Sequence, residues 1–274
     1  MASEKYFIET SIARHAIFGH KAVKGEIRSI IKGKKRSSSY FVFMEYKRSF
    51  LCNLIEFYFV VKSSDTLAEA LKIWNEKFQI RKIKDITFAM ATLLDEGTGN
   101  FRQEIALTKL KTLIIDAYLQ FLILINDSFV ENQIKCLLGK RYLFETGAIP
   151  SEKDFKDFYD FFQEDYAEEC QIKKYTKKNA KKLAEIVAKA IEGQNFKQIQ
   201  NVLNSQNSNN CYRCSTIGDS LLTLEIPKGF TVLTFDRGVD SLCKLLNKDV
   251  LLLPSASSLM KQPINQTGIQ LQPV

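Results

Sequence analysis

The chain has 274 residues, 45% of them hydrophobic and 26% charged, with 39 Lys and Arg against 31 Asp and Glu. That balance belongs to a globular protein with a large core and excludes a disordered or low-complexity chain. No apolar run reaches the ~18 residues of a membrane-spanning helix, and the net charge of +8 suits a polyanionic partner.

In chain order, Tyr6, Phe7 and Ile8 read as a short buried strand that ends at Glu9, with Thr10 and Ser11 directly after it. Residues 11–31 read as helix, with a break near Gly19 or Gly25. His15 and His20 are five apart, so they lack the i, i+4 spacing of a zinc pair and read as ordinary polar residues. Lys32, Lys34, Lys35 and Arg36 form a charge run. Such a run is a solvated loop or, because the chain returns at once to the sheet, a phosphate contact close to a site. Residues 39–46 read as a short strand that turns into a helix carrying Glu45. Phe50, Leu51, Leu54, Ile55 and Tyr58 continue that helix on a 3.6-residue period, which marks a core face.

Residues 59–207 read as helix after helix, an all-helical insertion. Expected helices start at Ser63, Ser64 or Asp65 and run through Trp74 and Phe78, then cover 85–95. The stretch 101–138 reads as one long helix or a pair broken near Asn126, and Ser151 opens another helix. A basic amphipathic helix is expected over 175–191 and a shorter one over 196–203. Lys177, Lys178 and Lys181 lie in the densest basic cluster, which is a solvated helix face or a nucleic-acid contact. A polar loop at 204–210 leads to Cys211 and Cys214. A single C-x-x-C is half of a zinc site, with Cys136 and Cys170 as the other half; plain reduced thiols are the alternative. The six cysteines are scattered and the start carries no signal-peptide apolar stretch, so a reducing cytoplasm is expected.

The stretch 216–254 is the most informative. A helix carrying Asp219 ends at Pro227-Lys228-Gly229. An apolar run over 230–235 stops at Asp236, another helix follows, and a second apolar run covers 250–253. Short Val/Leu/Phe/Thr runs between turn residues are the pattern of strands buried on both faces of a parallel sheet. Open α/β sheets bind ligands at the carboxyl ends of such strands. Asp236 stands at such an end or serves as a helix cap for the next segment. Residues 255–274, rich in Ser, Gln and Asn, read as a flexible tail.

The pattern I-G-D-S-L-L, a Pro-Lys-Gly turn and then V-L-T-F-D resembles the carboxy-terminal half of PIN-domain nucleases. The strand ending Glu9-Thr10-Ser11 resembles that family's first strand, with Glu where the family has Asp. Glu45 fits the slot of the acidic residue on the following helix. The resemblance covers about 4–58 and 211–254. It implies a PIN-like central parallel sheet flanked by helices, built from 1–58 and 208–254, with the helical insertion over 59–207. It implies a Mg²⁺ or Mn²⁺ site at Glu9, Glu45, Asp219 and Asp236, with Thr10, Ser11, Thr234 and Asp240 as auxiliary residues. Crowded carboxylates repel, and their hard oxygens suit those ions, which activate water for phosphodiester cleavage. The implied activity is an endoribonuclease of toxin or defence type, with RNA ahead of DNA as substrate. A flap-type DNA nuclease, or a catalytically weak module that binds RNA or a partner protein, are the alternatives. Self-association or a cognate inhibitor is compatible with that class.

Overall fold

The structure is a computed structural model that describes residues 5–77, 102–126, 128–130, 136–140, 144, 150–163, 171–189, 200–201 and 210–254. The chain is α/β. Four strands make one all-parallel sheet: β1 (Lys5–Ile8), β2 (Lys35–Ser37), β3 (Thr231–Thr234) and β4 (Val250–Leu252), in the order β2-β1-β3-β4. The centre is β1 paired with β3, registered Phe7 to Val232 and Ile8 to Leu233. Phe7, Ile8, Val232 and Leu233 are fully buried, which is why these strands carry no polar alternation. The strand that ends at Glu9 therefore lies beside the strand that ends before Asp236.

Helices α1 (Thr10–Phe18) and α2 (Lys21–Ile31) follow β1, separated at Gly19 and His20. Gly25, the other expected break, lies inside α2. After β2 come α3 (Tyr40–Tyr46), one π turn (Lys47–Leu51) and α4 (Cys52–Lys62). The described insertion helices are α5 (Leu67–Lys77), α6 (Gln103–Leu124), α7 (Leu137–Lys140), α8 (Glu152–Gln163), α9 (Ile172–Lys178) and α10 (Ala180–Lys189). The chain closes with α11 (Asn210–Glu225), β3, α12 (Arg237–Leu245) and β4. Helix α1 packs on β3 and α3, and α12 packs on β3, β4 and α11. Helix α4 packs on α5, α6 and α8, so the apolar stripe through Leu54, Ile55 and Tyr58 joins sheet layer and insertion in one core.

Several expectations are corrected. Residues 39–46 hold no strand: Ser39 Oγ accepts the Val42 N–H at 3.2 Å, and the helix begins at Tyr40. Short apolar runs do not distinguish a buried strand from a buried helix. The strand sits earlier, at Lys35–Ser37, inside the basic run taken for a loop. The basic helix expected over 175–191 is two helices, because Asn179 turns its amide back to the Tyr175 carbonyl at 3.1 Å. Thr66, rather than Ser63, Ser64 or Asp65, caps α5, accepting the Glu69 N–H at 3.1 Å. Cys211 and Cys214 lie in the first two turns of α11 instead of before it. The boundary drawn at 58 falls inside α4. The break at Asn126 is present as a left-handed residue with φ 53° just past α6. The expected helix at 85–95, most of that at 196–203 and the tail at 255–274 lie outside the described residues.

Candidate functional site at the carboxyl edge of the sheet

Two capping acids stand side by side where the central strands leave the sheet. Glu9 ends β1 and caps α1: its Oε1 accepts the Ser11 N–H at 3.0 Å. Its Oε2 accepts the Ser11 hydroxyl and the Thr234 hydroxyl, the latter at 3.0 Å. Asp236 follows β3 and caps α12, its Oδ1 accepting the N–H groups of Gly238 at 2.6 Å and Val239 at 3.3 Å. Thr234 ties the two ends together, because its Oγ1 also accepts the Asp236 N–H at 2.9 Å. Ser11 does the same from the other side, accepting the Phe235 N–H at 3.1 Å. Strand ends that double as helix starts need such side chains to satisfy the first N–H groups of the helix.

Glu45 reaches this edge from α3, where its Oε2 accepts the Thr10 hydroxyl. Asp219 reaches it from α11. Ile217 and Leu221 on that helix are buried while Asp219 is exposed, so the apolar stripe and the acid occupy different sides. Gly218 lets α11 approach α3 closely: a Cβ there would lie 2.8 Å from the Phe41 ring. The Gly-Asp pair thus brings two acid-bearing helices together.

The electrostatics follow from this crowding. Glu9 is only 6% exposed, and its carboxyl is pushed up to about 8. Burial is the main cause and Glu45 and Asp219 add repulsion, against the lowering effect of the Ser11 hydrogen bonds. Glu45 is also raised, by burial and then by Asp236, while Thr10 and Arg14 pull it down. Asp219 is pushed up to about 7 by the protein packed round it, then by Glu45 and Asp236. Its side chain is exposed, so solvent weakens the desolvation part and the repulsion remains. Negative charge is in excess here, and the cation that bears on Glu45 from α1 is Arg14.

As they stand, no three His, Cys, Asp or Glu side chains among the described residues sit close enough together to hold a metal ion. The four acids share one electrostatic neighbourhood, but Glu9 and Asp236 point oxygens at backbone N–H groups. Asp240 lies one turn after Asp236, buried and paired with Lys244 at 2.7 Å rather than turned to the acids.

Lys32, Lys34, Lys35 and Arg36 are not beside the acids. Lys35 is in register with Lys5 at the amino end of β1, on the opposite edge of the sheet from Glu9. Lys177, Lys178 and Lys181 are exposed on α9 and α10, which pack against α11 and α12 respectively. The zinc expectation rests in part on Cys211, whose side chain lies outside the described residues, as does Cys170; Cys214 and Cys136 are half-buried.

Sequence reasoning missed two residues at this edge. Arg14 stands one helical turn after Thr10, and that i, i+4 step behind the acid was the available signal. His15, taken as an ordinary polar residue, meets the Phe235 ring edge-on at 4.7 Å between centroids, next in sequence to Asp236.

No family model, curated protein or solved structure matches the chain. The functional reading therefore stands on the residues and their geometry.

Proposed function

We propose that the chain is a PIN-like, metal-dependent nuclease that hydrolyses phosphodiester bonds in single-stranded RNA. The observation that carries this reading is the meeting of Glu9, Glu45, Asp219 and Asp236, from four separate segments, at the carboxyl edge of an all-parallel sheet. Burial and mutual repulsion raise three of them, which is the state of an acid cluster short of positive charge.

The donor chemistry fits a divalent cation. Every candidate ligand is a carboxylate oxygen, the preference of Mg²⁺ or Mn²⁺ rather than zinc. Glu45 and Asp219 would hold the ion, with Asp236 and Glu9 contributing as their oxygens turn from the caps. When bound, such an ion supplies water activation and charge stabilisation at the scissile phosphate. The chain's own residues position and neutralise: Thr10 orients Glu45, Thr234 and Ser11 fix the two strand ends, and Arg14 offsets charge on Glu45. The exposed lysines of α9 and α10 give a strand a basic surface at the carboxyl ends of α11 and α12, at a distance from the acids.

A second reading has its own observation. Glu9 spends both oxygens on Ser11 and Thr234, and the acids do not converge at ligand spacing. In that reading the edge is a capping network in a module that binds RNA or a partner protein without cutting it.

The test is cleavage of single-stranded RNA, with single-stranded and flap DNA as parallel substrates, in Mn²⁺ or Mg²⁺ and in chelator. The nuclease reading expects metal-dependent cleavage that Asp219→Asn lowers by orders of magnitude. RNA binding with no cleavage in either metal supports the second reading, and cleavage confined to DNA overturns the choice of RNA.

A further inference from the structure

The opposite edge of the sheet carries a feature that the acid cluster leaves unused. The amino ends of β1, β2 and β3 surround a cleft of about 350 Å³. Lys5, Lys35 and Arg36 line it, Ser37 and Ser128 supply hydroxyls, and Phe230 gives an apolar wall. No carboxylate is among the described residues lining it. Parallel pairing sets Lys5 and Lys35 directly in register, so they share a face of the sheet, and Arg36, next along β2, also lines the cleft. The Ser37 and Ser128 hydroxyls share one hydrogen bond at 2.8 Å, which leaves one hydroxyl proton for another acceptor. Arg36 Nε is buried and has no hydrogen-bond partner among the described residues. A buried donor of that kind calls for an acceptor, and a guanidinium fork matches phosphate oxygens. Lys5 lies 5.9 Å from the centre of the Phe230 ring, so cation and apolar wall adjoin.

We propose that this amino-edge cleft is a binding site for a phosphate monoester, held between Lys5, Lys35 and Arg36 with its organic part against Phe230. The volume is that of a small-ligand pocket and exceeds what a bare phosphate fills. A nucleoside 5′-phosphate, free or at the end of a strand, has the matching charge and flat apolar body. The site stands apart from the carboxylate edge and does not depend on cleavage there.

The test is calorimetric titration of the full chain with inorganic phosphate, adenosine 5′-monophosphate, and an oligonucleotide with and without a 5′-phosphate. The expected result is saturable binding of the phosphorylated ligands at moderate salt, weakened at least about tenfold in Lys5→Gln/Lys35→Gln and in Arg36→Gln. Lys5 and Lys35 are exposed, so their loss leaves the core intact. Arg36→Lys keeps the charge and drops the buried Nε, and is expected to bind between wild type and Arg36→Gln. Asp219→Asn is expected to bind as wild type does. A preference for the 5′-phosphorylated strand assigns the strand end as source, whereas equal binding of mononucleotide assigns a free nucleotide. Asp127, next to Asn126 in sequence, lies outside the described residues. Binding seen only in Asp127→Asn overturns the proposal for the native chain. So does wild-type binding that Lys5→Gln/Lys35→Gln leaves unchanged, or none at millimolar ligand.

Discussion

Glu9 is drawn two ways. As a helix cap it accepts hydrogen bonds that favour the charged form, yet burial beside two other acids favours the neutral one. The folded chain holds its proton up to about pH 8, whereas the unfolded chain releases it near 4.5. The native state thus binds the extra proton across that window, and stability falls as pH rises through it. Asp219 acts in the same sense between its ordinary 3.8 and about 7. In chelator, the midpoint of thermal unfolding is expected to drop from pH 5 to pH 8. Mn²⁺ at pH 8 is expected to restore it, and Glu9→Gln to flatten the slope. Calorimetric scans across that range check this; a flat wild-type profile in chelator would mean that the folded chain does not raise these carboxyls. Asp236 separates its two roles by substitution. Asp236→Asn keeps an oxygen for the Gly238 N–H, so the fold should hold while metal-dependent cleavage falls by orders of magnitude. Asp236→Ala should also cost about 1 kcal/mol of stability through the lost cap. The acids were legible in the sequence because each ends an apolar run or follows a glycine. Their hydrogen-bond partners were less so, since Thr10 reaching Glu45 crosses 35 positions and no local pattern records it.

At the scale of elements, the strands of 5–8, 231–234 and 250–252 were legible because they are short apolar runs between turn residues. The strand at Lys35–Ser37 was not, because an edge strand with exposed charge carries no buried pattern. The run after it was misread because a fully buried helix shows no polar face. Two glycines carry element-level predictions. A Cβ at Gly139 would lie 1.9 Å from the Tyr40 carbonyl oxygen, so Gly139→Ala should force α7 off the start of α3. The expected loss is about 1–3 kcal/mol, measured by denaturant unfolding. Gly218→Ala meets only the end of the Phe41 ring, which can turn. It should cost less stability than Gly139→Ala but shift Asp219 from Glu45 and weaken Mn²⁺ binding; equal Mn²⁺ affinity in the two proteins would contradict the close-approach role. The π turn between α3 and α4 buries Lys47 completely, with its ammonium on the Gly139 carbonyl at 3.0 Å and over the Phe43 ring at 4.1 Å. Burial lowers its pKa from 10.5 to about 7, so the unfolded chain binds the extra proton over that window and stability rises with pH through it. Lys47→Met should remove that rise and raise the unfolding temperature at neutral pH.

Across the whole molecule, one parallel sheet sorts charge to its two edges. Strands that all point one way put Glu9 and Asp236 at one end and Lys5, Lys35 and Arg36 at the other. The net charge of +8 conceals that separation, which is why composition suggested a polyanion and could not say where it binds. The insertion's basic helices α9 and α10 pack against the carboxyl ends of α11 and α12, with Tyr175 at Glu225 and Lys182 near Leu224 and Leu245, away from Asp219 and Asp236. Their helical character was legible in the sequence, but the break at Asn179 that makes two helices of the one expected was not, and their docking on α11 and α12 is a long-range packing result that no local signal carries. The account turns on whether the acid edge takes up a divalent cation. Titration of the full chain with Mn²⁺ at pH 7 to 8, followed by calorimetry, tests this most directly. The account predicts saturable binding with release of protons from Glu9 and Asp219, lost in Asp219→Asn/Asp236→Asn while the fold persists. Wild-type protein that binds no Mn²⁺ and releases no protons would contradict it, and the acid edge would then be a capping network alone.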